Sequence, residues 1–456
     1  MTGSDVRRGE RAGGSPDTAP LRPQGRTRWG RRFGLAAAVV AVLLLAVGAG
    51  FGAAVGVAMF SASSGVFLTA GLLVTAGCAA AGLWLVFRGL PRRRRASATT
   101  WGTGLLVAVA AVAVLTPLSD PRDGPAPVTG LAYWELDTGS RLAYVKLPGS
   151  APARPTPIVV LHGGPGVPDM AGDVAYFGRL TDLGYDVYVY DQLGAGRSTR
   201  LADPTGYGIE RDVSDLDGVR RAIGAERMVL IGHSYGGSLA AHYLAAHPGH
   251  VEKLVLSSPG ALDPSDRSGD RAAAGLDGAA RLRSYVAALA PRALLGYVLT
   301  QVAPSAAHAY LGDDEADARN DAILSITEPA RHCSPGQGTG PVQGSGFYAW
   351  QYPQSASAPP PPDVRPALSG LTTPTLVLKG ECDYLSWRSA IDYRRALPGS
   401  HLLYLEGAGH NTYEDRPHAV MTAVRAFLTG GSLPETPYTD DPYTDDTAPA
   451  GYRGPS

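Results

Sequence analysis

Apolar residues follow two different patterns along the chain. From Phe33 to Phe87 no charged residue occurs, a stretch too long for one membrane-crossing helix and sufficient for two of roughly 20 residues each. We therefore predict helices at about 35–59 and 66–87. A third apolar helix is predicted at 101–118, with Trp101 as its anchor at the membrane interface.

The charges that flank these helices predict their orientation. Residues 1–100 contain thirteen Arg, no Lys and three acidic residues, a balance of +10 in a chain whose formal net charge is −1. Eight Arg precede the first helix, five lie in 88–100, and none lies between the first two helices. By the positive-inside rule, the N-terminus and the 88–100 loop are cytoplasmic, and everything after Leu118 is outside.

Two alternatives to three membrane spans follow from the same residues: a cleaved signal peptide, and a buried helical hairpin of a soluble protein, against which the lack of any polar face argues. A basic N-terminal block can bind nucleic acid, but here the Arg residues flank apolar runs, which favours a membrane. Arg31-Arg32-Phe33 also loosely resembles a twin-arginine signal, and a cleaved signal peptide remains an alternative. The expected location is the cell membrane, with the part of the chain that follows the third helix on the extracytoplasmic side.

Beyond residue 128 short apolar runs alternate with helical periodicity. Two alternating runs, at 131–136 and 141–147, predict a β-hairpin across Asp-Thr-Gly-Ser. Such strands between helices predict a mostly parallel sheet with helices on both faces. Six further strands are predicted at 158–161, 187–190, 228–231, 253–256, 375–378 and 402–405.

The alternation is interrupted once, which predicts the domain organisation. Residues 261–368 are Ala-rich and helical at first and then rich in Pro, Gly and Ser, so we predict an inserted lid and call this range the lid segment. The remaining ranges are a basic cytoplasmic tail (1–34), three transmembrane helices (35–118), a Pro-rich linker (119–128), the two parts of a hydrolase core (129–260 and 369–429) and a disordered acidic tail (430–456).

A G-x-S-x-G motif, Gly232 to Gly236, lies between the predicted strand 228–231 and an Ala-rich helical pattern. A serine at such a strand-to-helix turn needs a strained backbone, and glycine two residues to either side removes the side chains that would clash. The pattern predicts Ser234 as a nucleophile, because strand, turn and helix occur together. An ordinary turn serine is the alternative.

A tetrahedral intermediate needs two N–H donors, and the sequence offers two sources. One is the backbone N–H of Tyr235, the residue after the nucleophile. The other is the glycine loop His162-Gly163-Gly164-Pro165-Gly166 after strand 158–161. Because Pro165 has no N–H, we predict Gly164 as the donor, with Gly163 as the alternative; a plain turn is the non-functional interpretation.

The chain order of this type of site is Ser, then an acid, then His. Asp383 follows the predicted strand 375–378, and His410 follows 402–405, so both lie where the carboxyl ends of parallel strands converge. We predict His410 as the general base and Asp383 as the carboxylate that orients it. Glu381, two residues nearer the strand, is the alternative acid.

No cofactor or metal is predicted from the remaining chemistry-bearing residues. His162 and His233 are expected to fix loops by hydrogen bonding, and no Cys/His spacing is typical of a zinc site. Cys333 and Cys382 are the two cysteines of the exported part. They form a disulfide if their α-carbons come within about 7 Å, and otherwise stay unpaired.

At this point the chain resembles a known family. His162–Gly166 (HGGPG) and Asp191–Ser198 (DQLGAGRS), with the motifs around the three predicted catalytic residues, are similar to the proline iminopeptidase group of the α/β-hydrolases. The resemblance extends over roughly residues 130–430. It implies an α/β-hydrolase fold with a helical lid, release of N-terminal proline or another residue from short peptides, and lid carboxylates that bind the substrate amine.

Three positions depart from that group. Leu193 replaces an Arg, Tyr235 follows the nucleophile where the group has Trp, and Gln351 occupies the place of an amine-binding Glu. The acidic residues of the lid are expected to lie mostly on a solvated helix face; they are Asp313, Asp314, Glu315, Asp317 and Glu328. The leading prediction is an aminopeptidase; an ester or lactone hydrolase and an inactive surface-binding module are the alternatives.

Overall fold

The structure is a computed structural model, and it describes residues 24–117, 125–334, 336–338, 340–434, 438 and 447–455. Most of the predicted basic tail and linker, and residues 435–437, 439–446 and 456 of the predicted acidic tail, therefore lie outside the described residues. Three apolar helices come first: α1 (Gln24–Ala58), α2 (Ser64–Val86) and α3 (Arg92–Leu115). Each contains a stretch long and apolar enough to cross a membrane, and few residues of these stretches are buried within the protein.

The third helix differs from its prediction. It begins at Arg92 rather than at Trp101, so the predicted 88–100 loop shrinks to a short turn, Phe87–Gly89, and two linking residues. The physical reason is local. No Gly or Pro occurs between Pro91 and Trp101, and Arg and Ala are good helix formers, so the helix continues back to the proline.

Eight strands form one sheet, and every predicted strand is present. The sheet order is β1-β2-β4-β3-β5-β6-β7-β8, with the β1–β2 hairpin antiparallel and β3 to β8 parallel. The strands are β1 (Leu131–Glu135), β2 (Arg141–Leu147), β3 (Ile158–Leu161), β4 (Val187–Tyr190), β5 (Met228–His233), β6 (Val251–Ser257), β7 (Thr375–Gly380) and β8 (Ser400–Leu405).

Within the described residues, twelve further α-helices accompany this sheet. They are α4 (Met170–Phe177), α5 (Ile209–Ile223), α6 (Tyr235–Ala246), α7 (Gly278–Ala288), α8 (Pro291–Val302), α9 (Pro304–Tyr310), α10 (Asp313–Thr327), α11 (Phe347–Gln351), α12 (Arg365–Leu368), α13 (Trp387–Ala396), α14 (Thr412–Asp415) and α15 (Pro417–Thr429). Helices α7 to α12 all fall between β6 and β7, which is where the lid segment was predicted.

Alternate residues of the central strands face opposite cores. On β3, Val159 and Leu161 belong to the core that includes α6 and α13, whereas Ile158 and Val160 belong to the core that includes α4 and α15. A strand buried on both faces contains apolar residues without alternation, which explains why its sequence is a continuous apolar run. Because these strands are parallel, the carboxyl ends of β3, β5, β7 and β8 lie at the same end of the sheet.

Part of the C-terminal segment packs against the core, contrary to the prediction that 430–456 is disordered. The Tyr452 ring lies 5.3 Å and the Tyr438 ring 5.2 Å from the ring of Trp387. The Tyr452 hydroxyl also donates to the Leu385 carbonyl at 2.8 Å. The segment is polar overall, but its tyrosines bury aromatic surface and thereby offset the entropy cost of ordering.

Cys333 and Cys382 form the disulfide, with their α-carbons 5.3 Å apart. The bond joins the lid segment to the loop that follows β7. Cys78, in α2, is unpaired and exposed on the helix surface. Together with the packed C-terminal segment, the disulfide fixes the loop that contains Asp383.

We expect the disulfide to stabilise the fold measurably. It joins cysteines that are 49 positions apart in sequence, and closing a loop of this length is worth about 4 kcal/mol in the chain-entropy model. Cys333→Ala with Cys382→Ala should therefore lower the free energy of urea unfolding by about 2–4 kcal/mol. Cys78→Ala is the matched control and should have little effect. Alkylation of both Cys333 and Cys382 in a non-reduced digest of the wild-type protein would contradict the expectation.

Candidate active site

Ser234 lies at a strained turn between β5 and α6. Its backbone angles are φ 52° and ψ −117°, a conformation that residues other than glycine rarely adopt. A β-carbon on Gly232 would lie 2.3 Å from the Gly236 carbonyl oxygen, and one on Gly236 would lie 2.1 Å from the Leu161 carbonyl oxygen. The two glycines are therefore required for the turn that presents Ser234.

Asp383 and His410 are joined directly. The Nδ1 atom of His410 lies 2.8 Å from Oδ1 of Asp383, and the same oxygen accepts the backbone N–H of Leu385 at 3.0 Å. The Asp383 side chain is completely buried, and His410 is nearly so. Glu381, the alternative acid, does not reach His410, because its carboxylate accepts from Gly407 and pairs with Arg453.

A buried lysine holds the second oxygen of this carboxylate. Lys379, on β7, donates to Oδ2 of Asp383 at 2.7 Å and to the Leu385 carbonyl at 3.0 Å, with no exposed surface. Burial alone would raise the pKa of Asp383, but the Lys379 and His410 charges hold it below its usual value. The carboxylate is therefore ionised. Sequence analysis missed Lys379, since nothing in a strand pattern distinguishes it from a surface lysine.

The glycine loop after β3 lies beside Ser234. A β-carbon on Gly163 would lie 3.1 Å from the Ser234 β-carbon. His162 orients this loop: its Nε2 accepts the Gln192 N–H at 2.9 Å, and its Nδ1 is 2.9 Å from the Gly163 carbonyl. Burial lowers the pKa of His162 to about 4, so the ring is neutral. The expectation that His162 fixes a loop is thus confirmed.

Ser234 and His410 open into one cavity of about 500 Å³. The lid segment contributes Glu328, Arg331 and Trp350 to its walls. No hydrogen bond joins Ser234 to His410 within the part of the chain that the structure describes. The cavity is nevertheless large enough for a small substrate and contains the serine, the histidine and the glycine loop together.

Tyr384 is a further cavity residue that sequence analysis did not identify. Its ring lies 4.3 Å from the ring of His410, and its hydroxyl interacts with that of Ser234. Burial raises the pKa of Tyr384 to about 12, so the hydroxyl keeps its proton and can donate a hydrogen bond into the site. Its position directly after Asp383 is the signal that could have indicated it.

The lid segment is bonded to the His410 loop through a buried histidine. His332 contacts Asp415 through Nδ1 at 2.6 Å and Glu328 through Nε2 at 2.5 Å. Burial opposes protonation, but the two carboxylates raise the pKa of His332 above its usual value. Asp415 in turn accepts the Gly409 N–H at 2.6 Å. The loop that positions His410 is therefore held by ionic contacts from the lid segment.

Most acidic residues of the lid segment are paired rather than solvated, contrary to the prediction. Asp317 bonds Arg200 at 2.9 Å, and Glu315 forms a two-point ion pair with Arg292. Of the five acidic residues considered, only Glu328 lines the cavity. Asp317 and Glu315 pack against Arg side chains that are far from them in sequence, which a local pattern does not predict. Asp313 pairs with the nearby His308, and Asp314 is exposed.

Three clusters of His, Cys, Asp and Glu lie close enough to bind a metal ion within the described ranges. In one of them, both ring nitrogens of His332 already contact carboxylates, which favours a protonated ring over a metal ligand. In another, Cys333 and Cys382 are bonded to each other. The third consists of Asp217, His247 and His250, and Asp217 pairs with Arg220.

Comparison with known families agrees with this geometry. A family model for the alpha/beta hydrolase fold matches residues 156–417, more than half of the chain. The chain belongs to the α/β-hydrolase fold family. Strands β3 to β8, the strained turn at Ser234 and the Asp383–His410 pair are all within the matched range.

Individual relatives of this α/β-hydrolase include proline iminopeptidases. That of Heyndrickxia coagulans is 37% identical over 124 residues, covering 27% of this chain and 41% of that protein. That of Saccharolobus solfataricus is 39% identical over 105 residues, covering 22% and 32%. The alignments therefore span less than half of these relatives. The crystal structure of the Mycobacterium smegmatis proline iminopeptidase superposes with a TM-score of 0.45 at 22% identity, covering 66% of this chain and 98% of that one.

We predict that Lys379 is required to keep the buried carboxylate stable in this α/β-hydrolase. Lys379→Met should lower the free energy of urea unfolding by about 3–5 kcal/mol, because it leaves Asp383 charged without its cation. Lys379→Met with Asp383→Asn should recover part of the loss, since both charges are then gone.

Lys253→Met is the matched control for this experiment. Lys253 donates to the carbonyls of Phe427 and Leu428. Among the described residues, no carboxylate forms a salt bridge with it. Its replacement should cost about 1–2 kcal/mol. A double variant no more stable than Lys379→Met alone would contradict the predicted coupling.

Proposed function

We propose that this α/β-hydrolase is a serine hydrolase that acts through an acyl-enzyme, with Ser234, His410 and Asp383 as its catalytic triad. His410 accepts the Ser234 proton as the serine oxygen attacks a substrate carbonyl, and returns it to the leaving group. Water then hydrolyses the acyl-enzyme by the same route. The observation that supports this most is the strained serine and the carboxylate-bound histidine in one cavity.

The missing Ser234–His410 hydrogen bond is compatible with this mechanism, because such contacts often tighten only in the substrate complex. Asp383 contributes a fixed negative charge beside Nδ1 of His410. That charge stabilises the imidazolium as it forms and holds the ring with Nε2 toward the cavity. The ionised state of Asp383 in turn depends on Lys379.

Two backbone N–H groups are proposed to bind the oxyanion. Tyr235 is the first residue of α6, where N–H groups have no partner within the helix. For the second donor, Gly163 forms an isolated antiparallel bridge with Val167, whose N–H donates to the Gly163 carbonyl at 3.1 Å. Among the described residues no backbone acceptor is recorded for the N–H of Gly163 or of Gly164. Gly164 is proposed as the second donor, with Gly163 as the alternative.

An N-terminal amine of a short peptide is the proposed recognition element of the substrate. The similar proteins named above are proline iminopeptidases. Glu328 brings a carboxylate from the lid segment into the cavity, and Glu414 lies in the same cavity. A carboxylate there can accept charge-assisted hydrogen bonds from a substrate ammonium group.

We further propose that α1 to α3 anchor the enzyme in the cell membrane, with the hydrolase domain outside the cytoplasm. The thirteen Arg of residues 1–100 support this orientation by the positive-inside rule. The Cys333–Cys382 disulfide supports it independently, since disulfides persist in oxidising compartments. No nucleic-acid contact is part of the proposal.

The nucleophile is tested with a fluorophosphonate probe, which reacts covalently with activated serines. We expect the protein to be labelled, Ser234→Ala to abolish labelling, and His410→Ala to slow it about 10³-fold or more because the base is lost. Ser238→Ala, one helical turn further along α6, is the matched control and should be labelled normally. Labelling that persists in Ser234→Ala would disprove the assignment.

The substrate class is tested with prolyl-aminomethylcoumarin and its N-acetylated form. A bond from the amine to a carboxylate is worth roughly 1.5–3 kcal/mol, so blocking the amine should reduce kcat/KM at least tenfold. Glu328→Gln should remove most of this preference. A purely structural effect would slow both substrates equally and leave their ratio unchanged.

Asp314→Asn is the matched control for the carboxylate, because Asp314 is exposed and is not among the cavity-lining residues. It should leave the preference for the free amine intact. Equal turnover of the free and acetylated substrates, or turnover of p-nitrophenyl esters only, would favour the esterase alternative instead.

A further inference from the structure

The lid segment is docked onto the three apolar helices. Helix α8 packs against α1 and α3, and α9 packs against α2. Two polar contacts fix this arrangement: Arg292 donates to the Val114 carbonyl at 2.9 Å, and the Tyr310 hydroxyl donates to the same oxygen at 2.8 Å. The Tyr310 ring also meets the Phe67 ring edge-on, with centroids 6.0 Å apart.

All of these contacts are at one end of the helical bundle. Val114 is in the last turn of α3, and Phe67 is in the first turn of α2. These ends adjoin the Arg-free connection between α1 and α2, opposite to the Arg cluster that begins α3. The lid segment therefore docks at the extracytoplasmic end of the candidate spans.

Helix α7 has an apolar face that nothing covers among the described residues. Leu282, Tyr285, Val286 and Leu289 are 64%, 59%, 65% and 62% exposed. Their spacing of three and four residues places them on one side of the helix. The opposite side faces α10: Ala280 is buried, and Arg319 of α10 donates to the Ala287 carbonyl.

Basic residues border the apolar face on both sides. At 100° per residue, Arg281 and Arg283 fall on opposite flanks of the Leu282 direction, and both are exposed. A short helix with an apolar face and flanking Arg is typical of a helix that lies in a membrane interface. With eleven residues, α7 is about 16 Å long, too short to cross the hydrocarbon layer.

We propose that the apolar face of α7 is inserted in the extracytoplasmic interface of the lipid bilayer, so that the lid segment rests on the membrane; this rests on the membrane anchoring proposed above. We choose the bilayer as the partner because only two residues separate α7 from α8, and α8 is itself packed on the candidate spans. The same lid segment lines the cavity through Glu328 and Trp350, so the membrane limits how the lid moves.

The test uses an environment-sensitive fluorophore on single cysteines of the full chain. Leu282→Cys and Val286→Cys are made in a Cys78→Ser background, labelled, and reconstituted in vesicles that contain nitroxide-labelled phospholipids. Both sites should be quenched several-fold more than the exposed control Thr422→Cys on α15. A protein that left the vesicles on alkaline carbonate washing would overturn the anchoring itself.

Retention on the vesicles with quenching no greater than at residue 422 would overturn only the α7 proposal. Blue-shifted emission without lipid quenching would also overturn it, because it would indicate a protein partner on this face. Quenching at 282 and 286, with an unquenched control and retention after the wash, is the single outcome that supports it.

Discussion

The Asp383 carboxylate is fully buried, and the candidate site depends on keeping it ionised there. Its two oxygens are shared between a cation and the histidine: Lys379 binds one at 2.7 Å, and His410 binds the other at 2.8 Å. Without the lysine, only His410 would oppose the effect of burial, which acts against the ionised form of Asp383. The lysine therefore determines the charge of the pair, although it touches neither Ser234 nor the cavity.

The loops around this pair are fixed from outside the sheet, mainly by residues 331–333 of the lid segment. The backbone N–H of His410 donates to the Arg331 carbonyl at 2.7 Å. His332, the next residue after Arg331, pairs with Asp415. Cys333, which follows it, is bonded to Cys382, the residue before Asp383. This stretch is thus part of the site's framework.

Elements governed by local constraints were predictable from sequence. Ser234 was identified because its strained turn needs glycine at 232 and 236, and the strands were identified because two buried faces produce continuous apolar runs. Features that depend on distant partners were not. Tyr452 lies in a polar, proline-rich stretch, and only its contact with Trp387 gives it a fixed place.

The same distinction explains why the ion pairs of Asp317 and Glu315 were not predicted from sequence. In sequence they form part of an acidic cluster typical of a solvated helix, and their Arg partners are known only once the lid is folded. The ion pair of Arg292 with Glu315 also leaves the guanidinium free to donate to Val114. Neither contact has a signature in the local pattern.

The Val114 carbonyl joins the three apolar helices to the hydrolase part of the chain. It is among the last carbonyls of α3, which have no partner within the helix. An unpaired carbonyl away from water is costly, and here Arg292 and Tyr310 both donate to it. Because Arg292 is also held by Glu315 of α10, the end of α3 and the lid segment complete each other's hydrogen bonding. The three apolar helices therefore help to set the position of the lid segment, which in turn lines the cavity.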